Sequence, residues 1–357
     1  MNLFSPVTLG ALELSNRLVM APLTRSRSGI DGVPGDDVVE YYRQRASMGM
    51  IVSEGTYPSF AGQGFVRQPG LVTDAHIAGW KRVTDAVHAE GGLIIAQVMH
   101  AGRVAHPANT GGNPVVAPSA IAVEGETRTY DGKQPFPVPH ALAAEELGGV
   151  TAEFVQASRN AIAAGFDGVE LHGANGYLLH EFLAPSANHR TDTYGGSPEN
   201  RARFVIETVT AVAEAIGADR TWLRISPEHN VQGALETDDA ETLATYAALT
   251  DGIAALGLAG LSVLHKDPSG ALVRELRSRF GGPFLLNTGF GTVTTLDEAL
   301  LVAGSGWADA VVVGRPALAN PDLARRWREG LPLNEPDYST FYTEGAKGYI
   351  DYPFWQN

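Results

Sequence analysis

The stretch Val169-Glu-Leu-His-Gly-Ala-Asn-Gly-Tyr-Leu-Leu-His-Glu-Phe-Leu183 decides the fold and points to the chemistry of this chain. Its first residues end an apolar run that predicts a buried strand. His172, Asn175 and Tyr177 follow within six positions, and the glycines between them let the backbone turn sharply beside a ligand. Strands that end in such polar clusters are typical of α/β barrels, whose sites lie at the carboxyl ends of the strands. The cluster predicts a site that grips an electron-rich oxygen beside a phenol able to supply a proton.

Apolar, β-branched runs recur along the chain, with amphipathic stretches between them. The runs that predict strands are 17–21, 50–53, 93–98, 168–172, 222–226, 260–264, 284–287 and 310–313. The stretches that predict helices lie near 76–90, 151–164, 198–216, 238–255, 271–280, 296–303 and 321–329. Continuously apolar strands that alternate with helices predict a parallel sheet covered by helices. Eight strands favour a (β/α)8 TIM barrel. The alternative, a doubly wound sheet, is weakened because no Gly-x-Gly-x-x-Gly opens a helix after the first strand.

Two segments exceed what a minimal barrel needs. Residues 3–16 alternate in hydrophobicity around a Gly turn and predict an N-terminal hairpin that plugs the bottom of the barrel. Residues 101–149, after the third strand, are rich in Gly and Pro and carry only short apolar patches. A loop of this length in a compact domain usually has a function, often as a lid. We therefore predict one barrel domain over residues 1–357, with a capping subdomain at 101–149 inside it.

Composition removes several classes of function. The 357 residues include no cysteine, which excludes disulfides, thiolate catalysis, zinc–thiolate sites and Cys-ligated iron–sulfur clusters. The formal net charge of −14 argues against a general binder of nucleic acid or anionic membranes, although a local phosphate site remains compatible. No apolar run is long enough to span a bilayer, and the first residues carry no basic region typical of a secretory signal. A cytoplasmic location fits these features.

Three further polar side chains stand at positions where a barrel presents ligands. Thr24 follows the first strand, in a motif that taken alone also fits a structural turn. Gln97, near the end of the third strand, can donate and accept through its amide, which suits the imide edge of a pyrimidine-like ring as well as it suits loop backbone. Arg224 lies inside an apolar strand, where a guanidinium needs a carboxylate or a bound anion. We favour the bound ligand.

Gly-rich turns follow the last two predicted strands. Asn287-Thr-Gly-Phe-Gly291 ends the seventh strand and Gly314-Arg315-Pro316 ends the eighth. Barrels commonly hold phosphate in these two loops, so the glycines with Arg315 predict a phosphate cradle. A metal site at His172 and Asn175 is a poor alternative, because no His-Glu-x-x-His and no acidic cluster accompany them.

Nearly the whole chain resembles the Old Yellow Enzyme family of flavin-dependent ene-reductases, in its classical branch. Motifs that carry this resemblance, in order, are Leu3-Phe-Ser-Pro, Asn16-Arg-Leu-Val-Met-Ala-Pro-Leu-Thr-Arg-Ser-Arg27, Tyr41-Tyr-Arg-Gln-Arg45, Ile77-Ala-Gly-Trp-Lys81, Val116-Ala-Pro-Ser119, His172–Leu183, Asn188-His-Arg-Thr-Asp-Thr-Tyr-Gly-Gly-Ser197 and Ala319-Asn-Pro-Asp-Leu323. The resemblance implies a (β/α)8 barrel that binds FMN tightly and is reduced by NADPH or NADH. The cofactor-binding positions it implies are Pro22, Leu23, Thr24, Gly55, Gln97, Arg224, Gly289, Phe290, Gly291, Gly314 and Arg315.

The resemblance also implies roles in catalysis. His172 and Asn175 hydrogen-bond the carbonyl or nitro oxygen of an activated alkene, hydride from the reduced flavin reaches the β-carbon, and Tyr177 protonates the α-carbon. An ordinary phenol, with a pKa near ~10, keeps its proton at neutral pH and can act as this acid. Other barrel enzymes that carry a Cys beside the flavin or on a cluster are excluded, since Thr24 occupies that place and no Cys is present.

Four positions are expected to contact substrate: Phe65, Met99, Gln232 and Tyr342. Met99 stands where the family commonly has Trp, and Phe65 where many relatives have Tyr, so the resemblance implies a differently shaped pocket. Two other readings stay open at this point: a flavin-binding sensor without reductase activity, and a barrel enzyme that needs no flavin, such as one acting on phosphosugars. We expect no nucleic-acid or membrane partner, and a monomer or homodimer.

Overall fold

The computed structural model describes residues 2–289 and 291–356. At its centre eight parallel strands form a closed barrel, in which each strand pairs with the next in the chain and the eighth pairs with the first. The barrel strands are β1 Leu18–Met20, β2 Met50–Val52, β3 Ile94–Val98, β4 Gly168–Gly173, β5 Thr221–Ile225, β6 Gly260–Leu264, β7 Phe284–Asn287 and β8 Ala310–Val313. Every predicted strand is confirmed to within one residue at each end. The (β/α)8 prediction is therefore confirmed, and the doubly wound alternative is wrong.

Helices cover the outside of the barrel. They are α1 Asp36–Arg43, α2 Asp74–Ala89, α3 Ala144–Ala163, α4 Leu178–Leu183, α5 Pro198–Ile216, α6 Asp239–Ala254, α7 Ala271–Phe280, α8 Leu296–Ser305, α9 Arg315–Ala319 and α10 Leu323–Glu329. The seven predicted helices are all present. The other three, α1, α4 and α9, are short, with eight residues or fewer, and were not predicted. Helix α3 begins seven residues before its predicted start, because Gly148 and Gly149 interrupt the pattern in its first turns.

The N-terminal hairpin closes the bottom of the barrel. Val7–Leu9 pairs antiparallel with Leu12–Leu14, as predicted. The hairpin leucines pack in one cluster with side chains that point inward from the barrel strands, including Val19, Ile95 and Leu285. Burial of each such side chain stabilises the fold by about 1.5–3 kcal/mol. The cluster therefore seals the end of the barrel opposite the carboxyl ends of the strands.

The segment 101–149 lies over the other end. It contains a hairpin of Glu126–Thr129 with Gly132–Pro135 and a short parallel pair of Val116–Ala117 with His140–Ala141. Arg128 of the hairpin donates to the Tyr342 carbonyl at 3.1 Å, and the Tyr130 hydroxyl accepts from the Arg67 amide at 2.9 Å. These contacts tie the hairpin to two other loops at the barrel mouth. Within the part of the chain that the structure describes, no helix is both long and apolar enough to cross a bilayer.

Candidate active site

A cavity of about 460 Å³ opens at the carboxyl ends of the barrel strands, which is the size range of small-molecule sites. Most of the predicted site residues line it. They are Pro22, Leu23, Thr24, Phe65, Gln97, Met99, His172, Asn175, Tyr177, Arg224, Gly289, Gly314, Arg315 and Tyr342. Residues more than 300 positions apart in the chain thus converge on one concave surface, as the strand-end pattern predicts.

Three predicted residues do not line this cavity. A Cβ built on Gly55 would fall 2.7 Å from the Met99 sulfur, so the absence of a side chain at Gly55 makes room for Met99. Gln232 packs behind the cavity wall, where its amide donates to the Asn175 carbonyl at 2.5 Å. Gly291 is exposed with open space around its Cα. Phe290 lies outside the described residues.

The loops after β7 and β8 meet at one side of the cavity. The Arg315 guanidinium donates to the Thr292 carbonyl at 3.3 Å, which joins the two loops. Gly289 has φ 133°, a conformation that L side chains rarely adopt, and the backbone can therefore turn there next to the cavity. This arrangement fits the predicted phosphate cradle at Gly289, Gly314 and Arg315.

His172 is held from within the barrel wall. It lies on β4 in register with Arg224 on β5, while Glu170, two residues earlier, lies in register with Gln97 on β3. The Gln97 amide nitrogen is 2.8 Å from Glu170 Oε1 and 3.1 Å from His172 Nδ1. Burial, reinforced by the positive charge of Arg224, lowers the pKa of His172 well below its ordinary value. The imidazole is therefore neutral at neutral pH.

Asn175 sits in a turn that directs its side chain toward His172. Its backbone has φ 57°, its amide N–H donates to the Ser226 hydroxyl at 2.8 Å, and its Nδ2 lies 3.5 Å from His172 Nε2. The Asn175 side-chain oxygen is buried and has no hydrogen-bond partner in the protein. A non-glycine residue with positive φ and an unsatisfied polar atom are both costly, and such costs are typical of functional sites.

Tyr177 follows directly, at the start of α4. Its ring meets the edge of Phe65, with ring centroids 6.2 Å apart, and lies 5.2 Å from the His172 ring. Burial raises the pKa of Tyr177 to about 12, although a hydrogen bond with the Gln232 side chain opposes this shift. The phenol therefore keeps its proton at neutral pH, beside the His172 imidazole and the Asn175 side-chain amide.

Arg224 is a buried cation with incomplete hydrogen bonding. Its guanidinium donates to the Ser262 hydroxyl at 3.2 Å and to the Asn287 side-chain oxygen at 3.3 Å, while its Nε has no hydrogen-bond partner. The carboxylate of Glu170 favours the charge through space. A carboxylate therefore lies near Arg224, as one of the two readings made from the sequence expects, and the unused Nε–H leaves a donor for the bound ligand of the other reading, which stays a prediction. A heterocycle that presents carbonyl oxygens and unprotonated ring nitrogens as acceptors, as FMN does, would satisfy that donor.

Comparison with known proteins settles the family. The family model described as NADH:flavin oxidoreductase / NADH oxidase matches residues 2–334. The chain belongs to this family. It is 44% identical over 361 residues to a probable flavin mononucleotide-dependent alkene reductase of Leishmania infantum, with 99% of this chain and 97% of the relative covered. It is 38% identical to 12-oxophytodienoate reductase 7 of Oryza sativa subsp. japonica, with 99% and 94% covered.

Solved structures agree. The Old Yellow Enzyme homologue from Zymomonas mobilis superposes with a TM-score of 0.93 at 40% identity, covering 99% of each chain. Morphinone reductase in complex with tetrahydroNAD gives a TM-score of 0.93 at 44% identity, covering 100% of this chain and 98% of that one. The predicted resemblance to Old Yellow Enzyme is confirmed, as are the oxidoreductase class and the FMN cofactor. The reading as a barrel enzyme without flavin is wrong.

Several residues of this flavin oxidoreductase site escaped the sequence analysis. Glu170, Ser262 and Asn287 surround Arg224 and Gln97, and Glu54 accepts a hydrogen bond from the Arg25 amide at 3.1 Å, next to Thr24. Glu170 carried a usable signal, since it is a second charged residue in an apolar strand, as Arg224 is. The others carried none, because their role depends on strand register.

A buried network holds the turn between Asn175 and Tyr177 from below. The Gly176 amide donates to His180 Nδ1 at 2.8 Å, and His180 Nε2 lies 3.2 Å from Glu236, which also accepts from the Tyr246 hydroxyl at 2.9 Å. This network fixes the backbone that carries the two side chains. In residues 2–289 and 291–356 no group of three or more His, Asp or Glu side chains is arranged to hold a metal.

Proposed function

We propose that this flavin oxidoreductase uses NADPH or NADH to reduce the carbon–carbon double bond of α,β-unsaturated carbonyl compounds, and of nitroalkenes. One observation carries the proposal: the neutral His172 imidazole and the Asn175 side-chain amide lie side by side next to a protonated Tyr177 at the wall of the cavity. A carbonyl or nitro oxygen fits against this pair, and the Tyr177 phenol can supply the proton that the α-carbon of the substrate needs.

The residues of the chain have distinct tasks in this scheme. His172 and Asn175 bind the substrate oxygen and stabilise the negative charge that develops on it, as the donors of an oxyanion hole do. Because both groups are neutral and already held in place, they need not reorganise as the charge forms. Tyr177 gives its proton to the α-carbon, and its raised pKa keeps it protonated before the reaction. Phe65, Met99 and Tyr342 bound the space left for the rest of the substrate.

The cofactor has suitable partners in the chain. FMN, when bound, supplies the hydride that goes to the β-carbon. Thr24 and Gln97 offer polar groups to the ring, Arg224 offers a positive charge and an unused N–H, and Gly289, Gly314 and Arg315 offer a site for the phosphate. We also propose the segment 101–149 as a cap over the mouth, because Arg128 lines the cavity. We also expect a cytoplasmic location and a monomer or homodimer. Gel filtration tests the oligomeric state.

The test is anaerobic oxidation of NADPH and NADH by the purified yellow protein with and without 2-cyclohexenone. We expect nicotinamide oxidation that depends on the enone and yields the saturated ketone, and in D2O we expect deuterium at the α-carbon. A yellow protein that turns over no activated enone or nitroalkene would contradict the proposal and favour the ligand-sensing barrel.

A further inference from the structure

Glu170 is a buried carboxylate that the scheme above leaves without a task. It is 1% exposed and lies on β4, two residues before His172. Alternate residues of a strand point to the same side, so Glu170 and His172 both point into the barrel. The groups that face Glu170 are Gln97 from β3, Arg224 from β5 and Ser262 from β6, and Arg224 is the one charged group among them.

The Gln97 amide connects Glu170 to His172. Its nitrogen lies 2.8 Å from one carboxylate oxygen of Glu170 and 3.1 Å from His172 Nδ1. In its ionised form, which the facing Arg224 guanidinium favours, Glu170 only accepts hydrogen bonds, and Gln97 then turns its NH2 group toward it. The same NH2 group then donates its second hydrogen to Nδ1, which must be the unprotonated nitrogen of the ring. In a neutral imidazole the proton is then on Nε2.

We propose that Glu170 is the positioning residue that sets the tautomer of His172, acting through Gln97. The Nε2–H that results faces the cavity beside Asn175 Nδ2, 3.5 Å away. Two N–H donors at this separation form no good hydrogen bond with each other. Both can instead donate to one oxygen that lies against the pair. Burial raises the pKa of Glu170, while Arg224, Gln97 and Ser262 stabilise its ionised form.

The reverse state shows why the tautomer matters. Without an ionised carboxylate the Gln97 amide is free to turn its oxygen toward His172, and Nδ1 then takes the proton. The Nε2 lone pair would face the substrate oxygen and repel it. This consequence rests on the proposed function, whereas the tautomer itself does not depend on any substrate.

The experiment is nitrogen NMR of the FMN-loaded, oxidised protein labelled with 15N at its histidines. The His172 signals among the 10 histidines are assigned by their loss in His172→Gln. We expect the wild type to show an unprotonated Nδ1 and a protonated Nε2, and Glu170→Leu to show both tautomers in exchange. Glu181→Gln is the matched control: another buried carboxylate, bonded to the Arg103 amide, whose loss should leave the His172 signals unchanged.

Enone reduction gives a second readout. Loss of one oriented oxyanion donor costs about 10²–10³-fold in kcat, and we expect Glu170→Leu to fall in this range. If Glu170→Leu does not fold, Gln97→Met removes the amide that connects Glu170 to His172 and leaves the Glu170 and Arg224 charges paired. This variant should also show both tautomers. A wild-type protein with the proton on Nδ1, or variants that keep a single Nε2–H form, would overturn the proposal. A protein with the expected tautomer that reduces no enone would overturn only the proposed function.

Discussion

The two ends of the barrel are built from opposite kinds of side chain. At the bottom Leu9 and its hairpin neighbours pack on inward-facing apolar residues of the strands. At the top the inward-facing residues include Gln97, His172 and Arg224, and the Arg224 Nε lacks a partner in the protein. The same strands supply both layers. The bottom end therefore stabilises the fold. The top end contributes less stability, because its buried polar groups serve ligand binding and catalysis.

The largest expected effect tests the chemistry at the top end. Tyr177→Phe removes the proton donor but keeps the ring that packs on Phe65. We expect enone reduction to slow by about 10²–10⁴-fold, the range for loss of a general acid. Reduction of the bound flavin by NADPH should proceed at the wild-type rate, since that step needs no proton from Tyr177. Stopped-flow absorbance separates the two half-reactions.

Tyr194→Phe is the control for this prediction, because the Tyr194 hydroxyl bonds Glu207 on the surface, away from the cavity. Both half-reactions should be unchanged in it. An unaltered rate of enone reduction in Tyr177→Phe would show that another group, such as water, supplies the proton, and the assignment of Tyr177 as the acid would be wrong.

The second prediction concerns the bottom end. Leu9→Ala removes a fully buried side chain from the hairpin cluster and should lower the free energy of unfolding by about 2–5 kcal/mol. Thr8→Ala, an exposed change in the same strand, should have almost no effect. The kcat of the folded Leu9→Ala protein should match the wild type at a temperature where both are native. A large loss of kcat would show that the two ends are coupled. The assignment of stability to the bottom end and chemistry to the top end would then be wrong.

The difference between the ends also explains what the sequence could predict. Barrel strands are apolar over most of both faces, and their positions therefore followed from hydrophobic runs alone. The polar cluster at 172–177 was visible because its members are close in the chain. The hydrogen bond between Glu170 and Gln97 was not visible in the sequence, because it joins two strands whose register cannot be predicted from periodicity. Gln232 was predicted to contact substrate, but its side-chain amide donates to the Asn175 carbonyl and it does not line the cavity.

The third prediction isolates the oxygen-binding pair. His172→Ala should weaken the binding of a phenolate inhibitor by about 10- to 100-fold, because a hydrogen bond to a charged group is worth about 1.5–3 kcal/mol. A phenolate resembles the enolate that the pair would stabilise. Titration of the long-wavelength charge-transfer absorbance of the bound flavin measures the affinity. His88→Ala, a half-exposed histidine paired with Asp167, is the control and should bind as the wild type does. An affinity unchanged in His172→Ala would mean that the anion binds elsewhere.

The last prediction measures what the top end costs in stability. Glu54 holds the Arg25 amide next to Thr24, and its other carboxylate oxygen is buried without a partner. Burial raises the pKa of Glu54 to about 7, from an ordinary value of 4.5. The folded protein thus binds this proton more tightly than the unfolded chain does. The resulting stabilisation is complete below pH 4.5 and is lost as the pH rises through 7, by up to about 1.4 kcal/mol per pH unit.

Glu54→Gln should therefore flatten this part of the profile. Between pH 5 and pH 8 the unfolding temperature of the wild type should fall more than that of the variant, as followed by circular dichroism. Glu124→Gln, at an exposed position, should keep the wild-type slope. Other buried carboxylates, such as Glu181 with its pKa raised to about 8, contribute to both proteins alike, and the difference between the two curves belongs to Glu54. Parallel curves of unfolding temperature against pH would mean that the positive charge of Arg25 already offsets the burial of the Glu54 carboxylate. The loop that bears Thr24 would then be held without a cost in stability.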